Sequence, residues 1–338
     1  MDDKDREILE YIQHGFPLKR DPWAVIGSHV DLSSDEVIAR IRSLRDSKCI
    51  REISGIFDCV SLGYSQSLVA FMVPDDSLEQ AAAIVSMHPG VGHCYGREAK
   101  YNLWFTLAVS SDSCLGHAAT VERLSEQTAS SALVLPSLRR YKLSTVFRGA
   151  GHVLPVKEQG IGSNKSSVSI GQDHRSAVRA LQVDLQTVPD PFAGVAASHG
   201  IGSVDELLDR ARFFETGGYL RRYAAVVHHR SIGAVANAMV VWKISDARMD
   251  YAGIAASEDV SVSHCYSRPT FPDWPFGLYT MVHGSSRQDA LESIGRIADR
   301  IGVSDPEDRQ VLWTTREFTK RRVRLFTTSE KEWEQAHS

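Results

Sequence analysis

Residues 91–109, VGHCYGREAKYNLWFTLAV, and residues 262–284, VSHCYSRPTFPDWPFGLYTMVHG, share a His-Cys-Tyr-x-Arg core, and their histidines, His93 and His264, lie 171 positions apart. Other landmarks keep nearly the same spacing. CIREISGIFDCVSLGY from Cys49 answers YLRRYAAVVHHRSIGA from Tyr219 at an offset of 170, and LRRYK from Leu138 answers TREFTK from Thr315 at 177. Self-similarity at a fixed period marks a duplicated unit. The offset grows just after the arginine, which locates an insertion where PTFPDWPFG stands in place of the shorter EAKYN.

Each copy divides again. SSDEVIARIRSLRDSKCI (33–50) opens on a capping box, Ser33-x-x-Glu36, and continues with Val37, Ile41 and Leu44 at helical spacing. The second copy repeats the device with Ser203-x-x-Glu206 followed by Leu207, Ala211 and Phe214. With shorter helices before and the strands IREISGIF or LRRYAAVV after, this reads as a winged helix-turn-helix. The remainder of each copy runs strand, helix, strand, strand, helix, strand, the ferredoxin-like pattern, whose helices cover one sheet face and leave the other available. The predicted fold class is therefore α+β, two tandem copies of a winged helix-turn-helix and a ferredoxin-like βαββαβ domain. The expected boundaries are 1–62 and 63–147 for the first copy, 177–231 and 232–330 for the second, with a Gly- and Ser-rich linker at 148–176.

Bulk properties narrow the classes. At 338 residues, 43% hydrophobic and 24% charged, the chain is expected to build more than one compact core. The N-terminus MDDKDREILEYIQHG is acidic and amphipathic rather than signal-like, and no stretch approaches a membrane span, so a cytoplasmic location without membrane contact is expected. The five cysteines show no CxxC spacing and are read as reduced thiols. A formal net charge of −4 argues against nucleic acid as the main partner.

Strand alternation puts His93, Tyr95 and Arg97 on one face with Cys94 on the other, and His264, Tyr266 and Arg268 likewise. A row of imidazole, phenol and guanidinium suits an anionic, partly aromatic ligand, although such a row is also what an exposed or interface strand carries. His228 and His229 fall at the expected wing, one turned inward and the other to solvent. The helix-turn-helix raises a DNA-binding regulator as the alternative. Its first recognition helix, with Arg40, Arg42, Arg45 and Lys48 against Asp35, Glu36 and Asp46, has a net charge of about +1, and the second about −2, poor values for tracking phosphates. Basic residues gather instead on the terminal strands, at Arg139, Arg140 and Lys142 and at Arg316, Lys320, Arg321, Arg322 and Arg324.

Outside the linker the chain resembles the siroheme decarboxylases, which look like Lrp/AsnC regulators converted to an enzyme. The resemblance rests on GFPL (15–18), GIFD (55–58), HCYGR…YNLWFTL (93–107), RRYAAVVHHR (221–230), NAMVVW (237–242) and SHCYSRP…PDWP…LYTMVHG (263–284). The halves look like the family's two subunit types, so the chain resembles a natural fusion, a pseudo-heterodimer that leaves further homodimerisation open. The resemblance implies a carboxy-lyase removing carbon dioxide from the acetates at positions 12 and 18 of siroheme. The product, 12,18-didecarboxysiroheme, would pass to other heme-biosynthesis enzymes on the way to heme b or heme d1. No cofactor is implied beyond the substrate's own iron tetrapyrrole. His264 is the first candidate for proton donor or axial ligand to the substrate iron, with Tyr266 and Arg268 orienting it and His93, Tyr95 and Arg97 as the first-copy counterparts. Arg139, Arg316 and Arg322 are the expected further clamps on the substrate carboxylates, and Asp273, Trp274 and Trp104 the expected pocket lining. Many family members carry a further histidine two residues after the first-copy arginine, where this chain has Ala99, which points to a supporting role for that copy. A transcriptional regulator of the Lrp/AsnC type, in one version sensing heme through His264, is the alternative.

Overall fold

The computed structural model describes residues 1–143, 170–227 and 236–337. In the first copy the elements are α1 (Asp3–His14), α2 (Pro22–Val30), α3 (Ser34–Asp46), β1 (Ile50–Phe57), β2 (Ser65–Met72) and α4 (Leu78–Met87). They continue with β3 (Val91–Arg97), β4 (Leu103–Val109), α5 (Gly116–Gln127), β5 (Ser131–Pro136) and β6 (Arg139–Leu143). The second copy starts with α6 (Gln172–Leu181), α7 (Pro191–Ser198), α8 (Val204–Thr216), β7 (Leu220–Val227), β8 (Ala236–Trp242) and α9 (Met249–Ser257). It ends with β9 (Val262–Ser267), β10 (Leu278–Gly284), α10 (Arg287–Ile301), β11 (Arg309–Lys320) and α11 (Ser329–Ala336). Most of the expected linker, and the wing histidines His228 and His229, lie outside the described residues. The chain forms two compact units, one from Met1–Ser65, Lys165–Arg230 and Arg324–Thr328, the other from Gln66–Asn164, Ser231–Val323 and Ser329–Ser338.

The first unit holds both helix-turn-helix segments. Ser33 and Glu36 cap α3 reciprocally, Ser33 Oγ accepting the Glu36 N–H and the Glu36 carboxylate accepting the Ser33 N–H at 2.9 Å. At α8 the box is only half made: Ser203 accepts from the Glu206 N–H at 3.1 Å, while the Glu206 carboxylate turns to the Gly202 N–H and to Arg210. The wing strands pair with each other, β1 antiparallel to β7, and Ser54 stands opposite Ala224, its own counterpart in the repeat. A local two-fold axis therefore passes through that pair. The arginines of α3 are consumed within this unit. Arg40 is bound to Asp2 and Asp5, Arg42 donates to the Thr187 carbonyl at 3.0 Å, and Arg45 forms a two-pronged pair with Asp184 at 2.8 and 2.9 Å. On α8, Arg210 pairs with Glu206 and Arg212 with Asp209.

The second unit contains, among the described residues, a nine-stranded sheet of order β5-β2-β4-β3-β11-β8-β10-β9-β6. Each copy keeps the ferredoxin-like order, but its terminal strand crosses to the other copy. After Pro136 the first copy's chain continues as β6 and pairs with β9, setting Arg140 opposite Tyr266 and Leu143 opposite His264. In the second copy β11 is unbroken: Arg309–Trp313 pairs with β8, and Thr314–Lys320 runs on to pair with β3. Two apolar cores fill the helix side, one per copy, and α11 adds Trp333 to the first. A third cluster, including Trp104 and Leu135 of the first copy and Trp274, Tyr279 and Leu312 of the second, occupies the opposite side. The sheet face expected to stand open is thus partly closed by the two copies packing on each other. The physical reason is area: two apolar sheet faces that meet remove more nonpolar surface from water than either does alone.

Candidate active site

Register fixes which side chains share the inner face. Tyr95 stands opposite Trp104 and His93 opposite Thr106; Tyr266 stands opposite Tyr279 and His264 opposite Met281. The two His-Tyr-Arg rows therefore continue outward from the apolar cluster between the copies. Cys94 and Cys265 point to the helix side, where burial pushes each thiol up to about 12. Within each row the rings stack, His93 on Tyr95 at 6.2 Å and His264 on Tyr266 at 6.4 Å between centroids. His93 is also close enough to His264 to disfavour its protonation. The two rows belong to one region of space.

The arginines form a matched pair. Arg97 donates from Nη1 to the Leu312 carbonyl at 3.0 Å, and Arg268 donates from Nη1 to the carbonyl of Leu135, the repeat counterpart of Leu312. Arg97 adds a 2.8 Å bond to Thr314 Oγ1 and lies over the Tyr95 ring at 5.4 Å, while Arg268 lies over Tyr266 and Tyr279 at 5.2 and 5.4 Å. The Nε of each is buried without a hydrogen-bond partner. Neither has a carboxylate partner among the described residues. Burial lowers Arg97 to about 10 and shifts Arg268 in the same direction, both still cationic near neutral pH.

Other expected site residues stand elsewhere. Arg139 pairs with Asp250 of α9, and Arg316 with Glu79 of α4, two equivalent ties between a terminal strand of one copy and a helix of the other. Strand alternation turns both away from the inner face. Their neighbour Arg140 faces it instead, beside Tyr266, half-buried and with no ion-pair partner among the described residues. The repeat counterpart of Arg140 is Glu317 of the second copy, which β11 carries across to stand opposite Tyr95 of the first, whose hydroxyl its carboxylate engages; burial and Glu317 push Tyr95 up to about 12. Arg322 lies just beyond β11, half-buried. Trp104 and Trp274 are core residues, 5.7 Å apart between centroids; Trp104 Nε1 donates to the Tyr101 carbonyl at 2.6 Å and Trp274 Nε1 to the Tyr279 hydroxyl at 2.7 Å. Asp273 accepts from the Tyr101 hydroxyl at 2.8 Å. The Pro-rich insertion of the second copy thus seats Trp274 and Asp273 against the first copy.

Three residues escaped the sequence reading. Ser263 Oγ lies 2.8 Å from His264 Nδ1 and 2.6 Å from His283 Nε2, and His283 Nδ1 lies 2.6 Å from Asn237 Oδ1. They are spread over β8, β9 and β10, and only strand register brings them together. His264 itself is half-buried, and burial, with His283 and His93 nearby, lowers it to about 4. His93 is more open to solvent; surrounding protein lowers it too, with Lys320 acting in the same direction. No group of three His, Cys, Asp or Glu side chains among the described residues is arranged to hold a metal ion. A surface cleft of about 340 Å³ lined by Lys243, Arg248 and Asp308 contains none of these residues. Among the described residues no helix is long and apolar enough to cross a membrane.

Comparison with known proteins agrees with this geometry. Residues 61–142 and 231–319 match the AsnC-like ligand binding domain, and residues 5–51 match the siroheme decarboxylase NirDL-like HTH domain. The siroheme decarboxylase of Hydrogenobacter thermophilus is 30% identical over 97% of this chain and 96% of its own length. The siroheme decarboxylase beta subunit of Methanosarcina barkeri is 38% identical but spans 44% of this chain with 95% of its own, the extent of one copy. The crystal structure of the siroheme decarboxylase NirDL in complex with an iron-uroporphyrin III analogue superposes with a TM-score of 0.81 at 27% identity, covering 99% of this chain and 98% of that one. A duplicated chain with two equivalent inner-face rows, matched end to end at this identity, belongs to the siroheme decarboxylase family as a fusion of its two subunit types.

Proposed function

We propose that this protein is a carboxy-lyase that removes carbon dioxide from the acetate groups at positions 12 and 18 of siroheme, giving 12,18-didecarboxysiroheme for heme b or heme d1 formation. The observation that carries the reading is the pair of guanidinium groups of Arg97, buried, and Arg268, half-buried, one from each copy, whose Nε atoms are buried and unpartnered and which have no carboxylate partner among the described residues. An uncompensated buried charge costs several kcal/mol, so such a pair is best explained by an anionic ligand that completes it. Siroheme, with eight carboxylates around an aromatic macrocycle, suits both the cations and the partly exposed Tyr and Met side chains beside them.

The residues divide the chemistry. Arg97, Arg268 and Arg140 hold carboxylates. Loss of carbon dioxide breaks the bond between the acetate methylene and its carboxyl carbon, and the electron pair passes to the conjugated ring. A proton delivered to the methylene carbon then completes the methyl group. His264 supplies that proton as the imidazolium. Low in the ligand-free protein, its pKa rises when substrate carboxylates arrive beside it, because a nearby negative charge favours the charged form. The second copy is the better equipped: Arg140 stands beside Tyr266, whereas Glu317 in the equivalent place beside Tyr95 repels a carboxylate.

The test is anaerobic incubation with siroheme followed by mass spectrometry. Successive loss of one and two carbon dioxide units is expected, and unchanged siroheme from folded protein defeats the reading. The regulator alternative predicts salt-dependent operator binding instead. The arginines of α3 and α8, tied up in internal ion pairs or, for Arg42, on a backbone carbonyl, speak against it.

A further inference from the structure

Around the two histidines the copies share a backbone irregularity but not its chemistry. In the second copy Met281 pairs with His264 and Val282 with Val262, leaving Ser263 as the extra residue of a β-bulge. The first copy has the same bulge, with Thr106 opposite His93, Leu107 opposite Val91 and Gly92 left over. A bulge re-aims the side chain it carries. Here it turns the Ser263 hydroxyl towards His264 Nδ1 at 2.8 Å, on the side that simple alternation would deny it. Gly92 has no hydroxyl to turn. Register also equates Leu107 with Val282, so the counterpart of His283 is Ala108. The first copy lacks both links.

We propose that Ser263, His283 and Asn237 are positioning residues that hold His264 in one ring orientation and one tautomer, with Nδ1 protonated and Nε2 turned towards the substrate. The order of bonds sets the direction. Asn237 Oδ1 can only accept, so His283 Nδ1 carries hydrogen and its Nε2 is a lone pair. The Ser263 hydroxyl donates to that lone pair at 2.6 Å, which leaves its oxygen to accept from His264 Nδ1–H. Nε2 of His264 is then the nitrogen that takes up and delivers the proton. A neutral histidine with no such chain samples both tautomers, and one of the two presents the wrong nitrogen. This distinguishes the second copy from the first without appeal to the histidine itself, which both copies possess. The inference rests on the proposed decarboxylase reading only for the use made of Nε2.

The experiment combines histidine-selective ¹⁵N NMR on the ligand-free protein with turnover of siroheme. In the parent the His264 resonances, assigned by their loss in His264→Ala, are expected to show a single Nδ1–H tautomer; in Ser263→Ala, His283→Phe and Asn237→Leu they are expected to show a mixture. Asn237→Asp keeps an acceptor and is expected to keep the single tautomer. Ser263→Ala and His283→Phe are each expected to lower kcat about 10- to 100-fold, the usual cost of removing a partner of a functional histidine, with KM nearly unchanged. Neither is expected to lower it further in a His264→Ala background. Mixed tautomers in the parent, or unchanged tautomers in Ser263→Ala, overturn the proposal even if the protein decarboxylates siroheme. A single tautomer that depends on Ser263, in a protein inert towards siroheme, upholds the positioning chain and defeats the decarboxylase reading.

Discussion

Arg139 and Arg140 are consecutive on β6, yet one closes an ion pair with Asp250 outside the inner face and the other stands beside Tyr266 within it. A strand sends neighbours to opposite faces, so basic character alone does not tell a clamp from a staple. Arg140→Ala is accordingly expected to raise the KM for siroheme several-fold with kcat little changed, and Arg139→Ala to leave both near the parent values, as measured by steady-state turnover. His88 illustrates the cost of a buried neutral histidine. It has no exposed surface, its Nδ1 accepts from the Gly90 N–H at 3.0 Å, and its ring meets Trp333 at 4.4 Å; burial lowers its pKa to about 4. An unfolded histidine titrates near about 6.5, so between these values the unfolded chain binds the proton more readily. Stability contributed by neutral His88 is full above that range and falls as the pH drops towards 4, by on the order of 3 kcal/mol at most. Chemical denaturation at pH 7 and pH 4.5 is expected to show the loss, and His88→Asn, which keeps an acceptor for Gly90 but does not titrate, to reduce it.

Elements are joined across the repeat by contacts that no single copy contains. Asp184, just after α6, accepts from both Arg45 nitrogens on α3 and from the Ile53 N–H of β1 at 2.8 Å, so one second-copy carboxylate ties together two first-copy elements. Asp184→Ala strands a guanidinium and a backbone donor, and is expected to cost about 2 kcal/mol in denaturant unfolding. Gly253 on α9 shows the same interdependence in packing. A Cβ there would meet the ring of Tyr141 on β6 at 2.4 Å, so this helix accepts glycine to let the other copy's strand lie against it. The periodicities of α3, α8 and the ferredoxin-like elements were readable because each has its own amphipathic pattern. The partner of β6 was not, since LRRYK has the same pattern whether it returns to its own sheet or crosses to β9.

At the scale of the whole molecule, duplication and exchange make one sheet from two copies. Trp274 lies in the apolar cluster between them, against Trp104 and Tyr101. Trp274→Ala removes a buried indole and is expected to destabilise the protein by about 3–5 kcal/mol by denaturant titration. Cutting the chain within residues 148–169 is expected to leave fragments that co-elute on size exclusion, because each copy completes the other's sheet through β6 and β11. The sequence by itself determined the duplication, the two kinds of domain in each copy and the His-Tyr-Arg rows, because repeat offsets and side-chain periods are local properties of the chain. Only the tertiary structure decided that the rows meet in one region, that Arg140 rather than Arg139 faces it, and that Ser263 and His283 stand behind His264. Those facts depend on strand partners, on a bulge and on the burial of one copy's face by the other, and each of these is a long-range pairing whose energy no short stretch of sequence carries.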